Sequence, residues 1–520
     1  MKKQRTYEKK AANKNGLKRA IFVGISIIIE MVLLVTLFTK LNKEYEWISI
    51  ATRLLETVLV MGIYAQHKTS SMKMPWIIFI LAFPAAGITF YLLTGLAGST
   101  KKMSLRYKEV DKKLLPMLPE NEETFHKLHI RDKGLEGISK YLYLKASYPI
   151  YENTDITFYN MGEKGLDAQL EDIGKAKDFI FMEYHAIEDA ESWARIENVL
   201  ERKAQEGVEV RVFYDDVGSI TFINWDFAKR LESKGIKVRV FNPVGVFFNL
   251  FLNNRDHRKI TVVDGKVGFV GGYNLANEYF NVTHPYGMWK DTGIRIEGDA
   301  VKSLTISFLE MWNAVRDGDK DDENVAKYLV DYGYTAASNG FVQPYADSPM
   351  DDEHVGEEVY INIINSATDY CYFITPYLII TDEMSHALSL AAKRGVDVRI
   401  ITPGIPDKKI VYSVTRSFYN ALVRNGVKIY EWTPGFAHAK MCISDDRIAT
   451  VGTINLDYRS LYHHFENGCV IYLDNVIREI KADFINTFAE SRDVTEEYLT
   501  GRSRFMRLGQ MLLRLFAELL

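Results

Sequence analysis

The sequence predicts an α/β protein made of two similar halves in a pseudo-two-fold arrangement, preceded by an all-α transmembrane region. Three observations point there. A constellation of His, Lys, Asp, Gly and Asn occurs twice with the same internal spacing. Each copy follows the same succession of strand-like and helix-like segments. Long apolar runs lie beside basic clusters in residues 1–99.

The membrane region comes first. Lys2, Lys3, Arg5, Lys9, Lys10, Lys14, Lys18 and Arg19 precede residues 20–38, which are apolar except for Glu30 and long enough to span. No small-residue cleavage site follows, so this reads as an anchor rather than a removed signal peptide. Residues 75–98 read as a second span, with Trp76 and Tyr91 as interfacial aromatics. Residues 47–65 are apolar but hold Arg53 and Glu56, and read as either a third span or an interfacial helix. Lys101, Lys102 and Arg106 favour the cytoplasmic side, as the amino terminus does, and so an even number of spans; hydropathy favours three. Residues 1–99 are therefore expected to anchor the chain with two or three transmembrane helices. Residues 100–150, polar with Pro116 and Pro119, read as a linker with short helices near the headgroups.

Residues 151–330 and 331–520 form the two halves. Phe179–His185 reads as a strand, residues 190–206 as a helix, and Gly207 leads into the strand Glu209–Tyr214. The second half repeats this with Tyr370–Thr375, a helix over 382–394, and Gly395 before Asp397–Ile401. Strands alternating with helices predict mixed, mostly parallel sheets flanked by helices. The tail Arg502–Leu520 has amphipathic spacing, suited either to a membrane surface or to closing the second half.

The repeated constellation is His257, Lys259, Asp264, Gly271–Gly272 and Asn274, then His438, Lys440, Asp445, Gly452–Thr453 and Asn455. Asp264-Gly265 between two β-branched runs predicts a hairpin. Residues two apart on a strand share a face, so His257 and Lys259 point together, away from Ile260 and Val262. An imidazole beside an ammonium suits a phosphate. Gly271–Gly272 allows close backbone approach to whatever His257 touches. Two half-motifs make joint sense: phosphodiester exchange through an enzyme intermediate needs a nucleophile and a separate acid. No carboxylate cluster suited to a metal is evident, and no metal or other cofactor is expected. The net charge of −4 does not suggest nucleic acid as a partner. Three cysteines form neither a metal spacing nor a disulfide framework.

Both constellations resemble the HKD motif of the phospholipase D superfamily, and the basic, multi-helical amino terminus is similar to that of bacterial cardiolipin synthases. The resemblance implies two phospholipase D-like halves and a multi-pass protein of the bacterial plasma membrane. It implies a phospholipid substrate, phosphatidylglycerol, and transfer of a phosphatidyl group to a second phosphatidylglycerol with release of glycerol; a hydrolase or another headgroup exchanger is the alternative. It implies that His257 is the nucleophile and His438 the acid, with Lys259, Lys440, Asn274 and Asn455 around the phosphate. Asp264 and Asp445 complete the motifs, but each is expected at a strand end as a structural residue. By the same resemblance Glu466 is expected to hold His257 and Asp291 to hold His438, across the halves. Tyr377, in a Thr-Pro-Tyr segment similar to those of cardiolipin synthases, is expected at the substrate site. His185 is expected to support the site, and His463 and His464 are given no role.

Overall fold

The computed structural model describes residues 9–66, 69–92, 100–119, 121–243, 254–316, 321–351 and 353–500, with 509, 513 and 514 in the tail. The strands of the first half are β1 (Thr154–Tyr159), β2 (Phe179–Tyr184), β3 (Glu209–Asp215), β4 (Lys237–Phe241), β5 (Arg255–Asp256), β6 (Lys259–Val263), β7 (Val267–Gly271), β8 (Met288–Lys290) and β9 (Gly293–Gly298). Those of the second are β10 (Phe341–Asp347), β11 (Tyr370–Ile374), β12 (Leu378–Ile379), β13 (Asp397–Pro403), β14 (Lys428–Trp432), β15 (Gly435–Ala437), β16 (Met441–Ser444), β17 (Ile448–Gly452), β18 (Leu456–Asp457), β19 (His464–Tyr472) and β20 (Ser491–Asp493). The first sheet runs β1-β9-β7-β6-β2-β3-β4, and the second β10-β19-β17-β16-β11-β13-β14 with β20 added at the edge. The two orders match strand for strand.

The sheets are mixed, but mostly antiparallel rather than mostly parallel. Along the main path of each sheet, parallel pairing is confined to β2-β3-β4 and β11-β13-β14. Those strands are joined by crossover helices such as Glu191–Gln205 and Asp382–Lys393. The motif strands have no helix between them and turn back directly, which forces antiparallel ladders. Trp193, Ile196 and Leu200 line the buried face of Glu191–Gln205 at helical spacing. Helix Val301–Val315 covers the other face of the first sheet and reaches β10, which ties the halves into one body.

The segment read as a linker is structural. Residues 100–146 hold the helices Thr100–Leu114, Glu122–Arg131 and Lys133–Ala146. Their apolar faces, Tyr107 and Leu114, Phe125 and Leu128, Leu135 and Leu142, are buried in the same core as strands of both halves. Tyr107 lies against Phe465, ring centres 5.3 Å apart. The polar composition that suggested a linker belongs to the outer faces of these helices.

Among the described residues, two helices are long and apolar enough to cross a membrane, Ala20–Glu44 and Glu46–Tyr64. The second is the stretch holding Arg53, which is exposed, and Glu56, which is buried. The expected span over 75–98 is broken within its described part, and residues 93–98 lie outside the described residues. Helices Ser70–Ala82 and Pro84–Phe90 meet at Phe83, which has φ −138° and ψ 72°. Proline disfavours helical geometry in the residue before it and lacks an N–H donor, so the helix stops there. Thirteen residues rise only about 20 Å, short of the roughly 30 Å hydrocarbon layer. The amphipathic tail lies almost wholly outside the described residues; within it, the Arg514 guanidinium stands 4.1 Å from the ring centre of Phe418.

Each motif closes in the expected hairpin. Asp264 and Gly265 both have positive φ, as do Asp445 and Asp446, the conformation that two-residue hairpin turns demand. Asp264 accepts hydrogen bonds from the N–H groups of Lys177, Asp178 and Phe179 at 2.8–2.9 Å. Asp445 accepts from Thr368, Asp369 and Tyr370 in the same way. Burial works against the Asp445 charge, but those N–H groups outweigh it and hold the carboxyl below its usual range. The two aspartates thus pin the turn of each motif to the start of the neighbouring strand. Asp264→Ala and Asp445→Ala should each cost about 2–4 kcal/mol, through the lost charged acceptor and the strained turn. Thermal unfolding of detergent-solubilised protein, read by tryptophan fluorescence, checks this; an unchanged midpoint would remove the bracing role.

Candidate active site

Two short strands cross between the halves. β5, just before His257, pairs with the start of β19, two residues before Glu466. β15, just before His438, pairs with β8, just before Asp291. The His257 N–H donates to the Phe465 carbonyl at 2.9 Å and the His438 N–H to the Lys290 carbonyl at 2.7 Å. This pairing sets each imidazole against a carboxylate of the opposite half. His257 Nδ1 is 2.9 Å from both Glu466 oxygens. His438 Nδ1 is 2.6 Å from Asp291 Oδ2. The crossed partnership expected from the resemblance is the one the geometry displays.

The supports differ in one detail. Thr453 donates its hydroxyl to Glu466. Gly272 occupies the same motif position in the first half, and a Cβ there would fall 2.1 Å from Asp291 Oδ1. The shorter carboxylate fills the space that the threonine hydroxyl takes in the other copy. The glycine therefore serves His438, through Asp291, rather than the His257 of its own motif.

His257, Asn274, His438 and Asn455 all line one cavity of about 670 Å³, together with His185, Tyr279, Trp289, Tyr377 and His464. Asn274 donates to the Tyr279 hydroxyl at 2.8 Å and accepts from the Ala186 N–H. The Asn455 Oδ1 is buried without a hydrogen-bond partner. Tyr377 stands in the wall as expected and donates to Asp407 at 2.6 Å. Lys259 and Lys440 are buried beside the histidines. Lys259 Nζ donates to the His257 carbonyl at 2.7 Å, and Lys440 Nζ lies 3.0 Å from His438 Nε2. Asp264 and Asp445 lie at the hairpin turns and are not among the lining residues.

Sequence reasoning gave no role to His464, in the cavity wall, or to the buried Arg258. His464 lies beside His257 with ring centres 5.3 Å apart and planes tilted by 45°, and neither of its ring nitrogens has a hydrogen-bond partner. Its position two residues before Glu466 was the available signal. Arg258, between His257 and Lys259, is fully buried and donates to Glu183 at 2.8 Å. His185 donates through its ring to, or accepts through it from, no other side chain in that network; its Nδ1 is 2.8 Å from the Asp256 carbonyl.

Desolvation governs the electrostatics. Burial, with Lys259 beside it, pushes His257 well below its ordinary value. Burial and Lys440 push His438 down to about 3, against the pull of Asp291. Burial lowers Lys259 to about 8 and Lys440 to about 7. Burial also pushes the Glu466 carboxyl up, opposed by Lys259 and the Thr453 hydroxyl. The His257–Glu466 contact is thus a hydrogen bond from a neutral imidazole rather than an ion pair. The site is short of negative charge, and a phosphodiester anion would relieve it. His257, His464 and Glu466 also place three donor atoms within 4.8 Å of one another. Both Glu466 oxygens are already engaged there by His257 and Thr453.

The family model described as cardiolipin synthase, phospholipase D-like domain, matches residues 170–312 and 360–488. A cardiolipin synthase of Oceanobacillus iheyensis is 34% identical over 88% of this chain and 95% of its own length. Cardiolipin synthase 1 of Staphylococcus aureus is 31% identical over 93% of this chain and 98% of its own. The phosphatidylserine synthase structure from Haemophilus influenzae superposes with a TM-score of 0.55 at 16% identity, over 73% of this chain and 97% of that one, and shares the fold.

Gly272→Ala should displace Asp291 and lower catalysis about a hundredfold, the scale expected for a misplaced reacting group. The measurement is turnover with circular dichroism on the same sample; a folded variant with wild-type turnover would sink this reading. The chain belongs to the cardiolipin synthase family of phospholipase D-like phosphatidyltransferases.

Proposed function

We propose that this protein is a cardiolipin synthase of the bacterial plasma membrane, anchored by more than one membrane-crossing helix. It transfers a phosphatidyl group from one phosphatidylglycerol to another through a phosphohistidine on His257. One observation carries the reading. Two histidines from equivalent motifs, each fixed through Nδ1 by a carboxylate of the other half, face one cavity.

A hydrogen bond from Nδ1 to Glu466 leaves the lone pair on Nε2 of His257. That nitrogen forms the bond to phosphorus as the bond to the glycerol oxygen breaks. His438 gives the departing alkoxide its proton. His438 is neutral in the empty site, and the arriving anion favours its protonated form. A second alcohol then enters, gives its proton back to His438, and takes the phosphatidyl group from His257. Lys259, Lys440, Asn274 and Asn455 hold the non-bridging oxygens, and Tyr377 stands beside the headgroup. Such groups are preorganised in a dry site, where they count for more than in water.

The test is product analysis with purified protein in mixed detergent–phosphatidylglycerol micelles. Wild type should release glycerol and form cardiolipin. His257→Ala and His438→Ala should each lose at least about a thousandfold in rate. Phosphatidic acid in place of cardiolipin would make the enzyme a hydrolase, and wild-type transfer by His257→Ala would remove the intermediate. Prolonged dialysis against a chelator should leave the rate unchanged; a loss restored by zinc would turn His257, His464 and Glu466 into a metal site.

The lysines add a pH dependence. Each has a lowered value, so each loses its charge as pH rises through about 7 to 8. kcat/KM, which reports the free enzyme, should therefore decline above that window. A profile flat to high pH would show that the ammonium groups are not required in the charged form.

A further inference from the structure

The pseudo-symmetry supplies equivalent positions around each histidine, and their occupants are of opposite character. Two residues before His257 is Arg255; two before His438 is Phe436. Paired with these across the halves are His464 and Trp289, each two residues before its carboxylate. Four residues beyond Asn455 is Arg459; four beyond Asn274 is Glu278. All six line the cavity except Phe436, whose ring packs 4.8 Å from Trp289. The His257 side thus carries two guanidinium groups and an imidazole. The His438 side carries two aromatics and a carboxylate.

Burial weighs against the charge of Arg255, opposed by Asp215 and Asp216. Asp215 is 3.7 Å from Arg255. Asp457 helps Arg459 keep its proton, but burial works against that charge, and Arg255 adds repulsion. The Nε of Arg459 and both ring nitrogens of His464 are buried without a hydrogen-bond partner. Across the cavity, burial and then the neighbouring Glu188 and Asp407 raise Glu278 to about 7. One wall demands an anion and the other repels it.

We infer that Arg459, His464 and Arg255 form a second phosphate-binding subsite that takes the phosphodiester of the acceptor lipid. The inference rests on the transferase reading above. The donor brings a single phosphate, which is consumed between the two histidines, and the departing glycerol is neutral. The remaining anion in the reaction is the acceptor's own phosphate, one glycerol bridge from the attacking hydroxyl. In that step the hydroxyl oxygen forms the new bond to phosphorus as the bond to His257 breaks. The hydroxyl proton passes to His438, and the unreacting phosphate stays on Arg459 and His464. The subsite selects an alcohol that already carries a phosphate.

Soluble acceptors separate this from the main reaction. Wild type, Arg459→Gln, Arg459→Lys and His464→Gln are given phosphatidylglycerol micelles with either labelled glycerol or labelled glycerol phosphate. Wild type should prefer glycerol phosphate. Arg459→Gln and His464→Gln should each reduce that preference at least about tenfold, a charge-assisted contact's worth, and Arg459→Lys should retain most of it. Equal loss with both acceptors would place these residues on the donor phosphate and overturn the subsite. An unchanged preference would overturn it too. Inorganic phosphate should compete with glycerol phosphate in wild type only; competition against glycerol, with the preference intact in Arg459→Gln, would make this a free-phosphate site instead. No transfer to either acceptor by wild type would instead refute the transferase reading itself.

Discussion

Everything at the active site depends on the crossing of two carboxylates. A buried neutral imidazole can rotate, and a buried carboxyl without a donor is costly, so each needs the other. The molecule meets both needs across the interface between its halves. β5 against β19 and β8 against β15 fix the distance at backbone precision before any side chain is considered. His257 to Glu466 and His438 to Asp291 then follow as side-chain consequences of main-chain pairing. The two sheets, the helix Val301–Val315 and the three helices of residues 100–146 hold that interface closed.

Burial makes this arrangement reactive as well as rigid. The same desolvation that keeps both histidines neutral weakens both lysines' hold on their protons. The empty site is a strained electrostatic balance that an anion would ease. Arg258 extends the balance inward. It donates to Glu183 on β2 and approaches Glu310 of Val301–Val315 at 3.9 Å. Glu310 in turn accepts from Tyr148. Polar groups beneath β6 are thus linked to Tyr148, just beyond the helix Lys133–Ala146.

Much of this was legible in the sequence, for identifiable reasons. The hairpin at Asp264-Gly265 was readable because turn chemistry is local. The repeat was readable because spacing survives when side chains between the fixed positions change. The crossed carboxylates came from family resemblance, since no local rule links residues 209 or 147 positions apart. The antiparallel bias was missed because the crossover helices were conspicuous and the direct returns were not. That the short helices of residues 100–146 pack into the core is not legible, because their buried stripes are narrow and their outer faces charged. The break at Phe83 was missed although Pro84 announces it, because hydropathy averages over a proline. His464 was passed over because it belongs to no motif; its importance comes from the strand it begins.

The crossing also says something about how such a chain can have arisen. Neither half contains a complete catalytic histidine, since the group that orients each one is encoded in the other. A solitary half would have needed a second copy of itself, facing it in the same way, to work at all. Such a pair would have been bound to identical side chains on both sides of its cavity. Joining the two in one polypeptide freed each position to change alone, and Arg255 against Phe436, or Arg459 against Glu278, are differences that only a fused pair can keep.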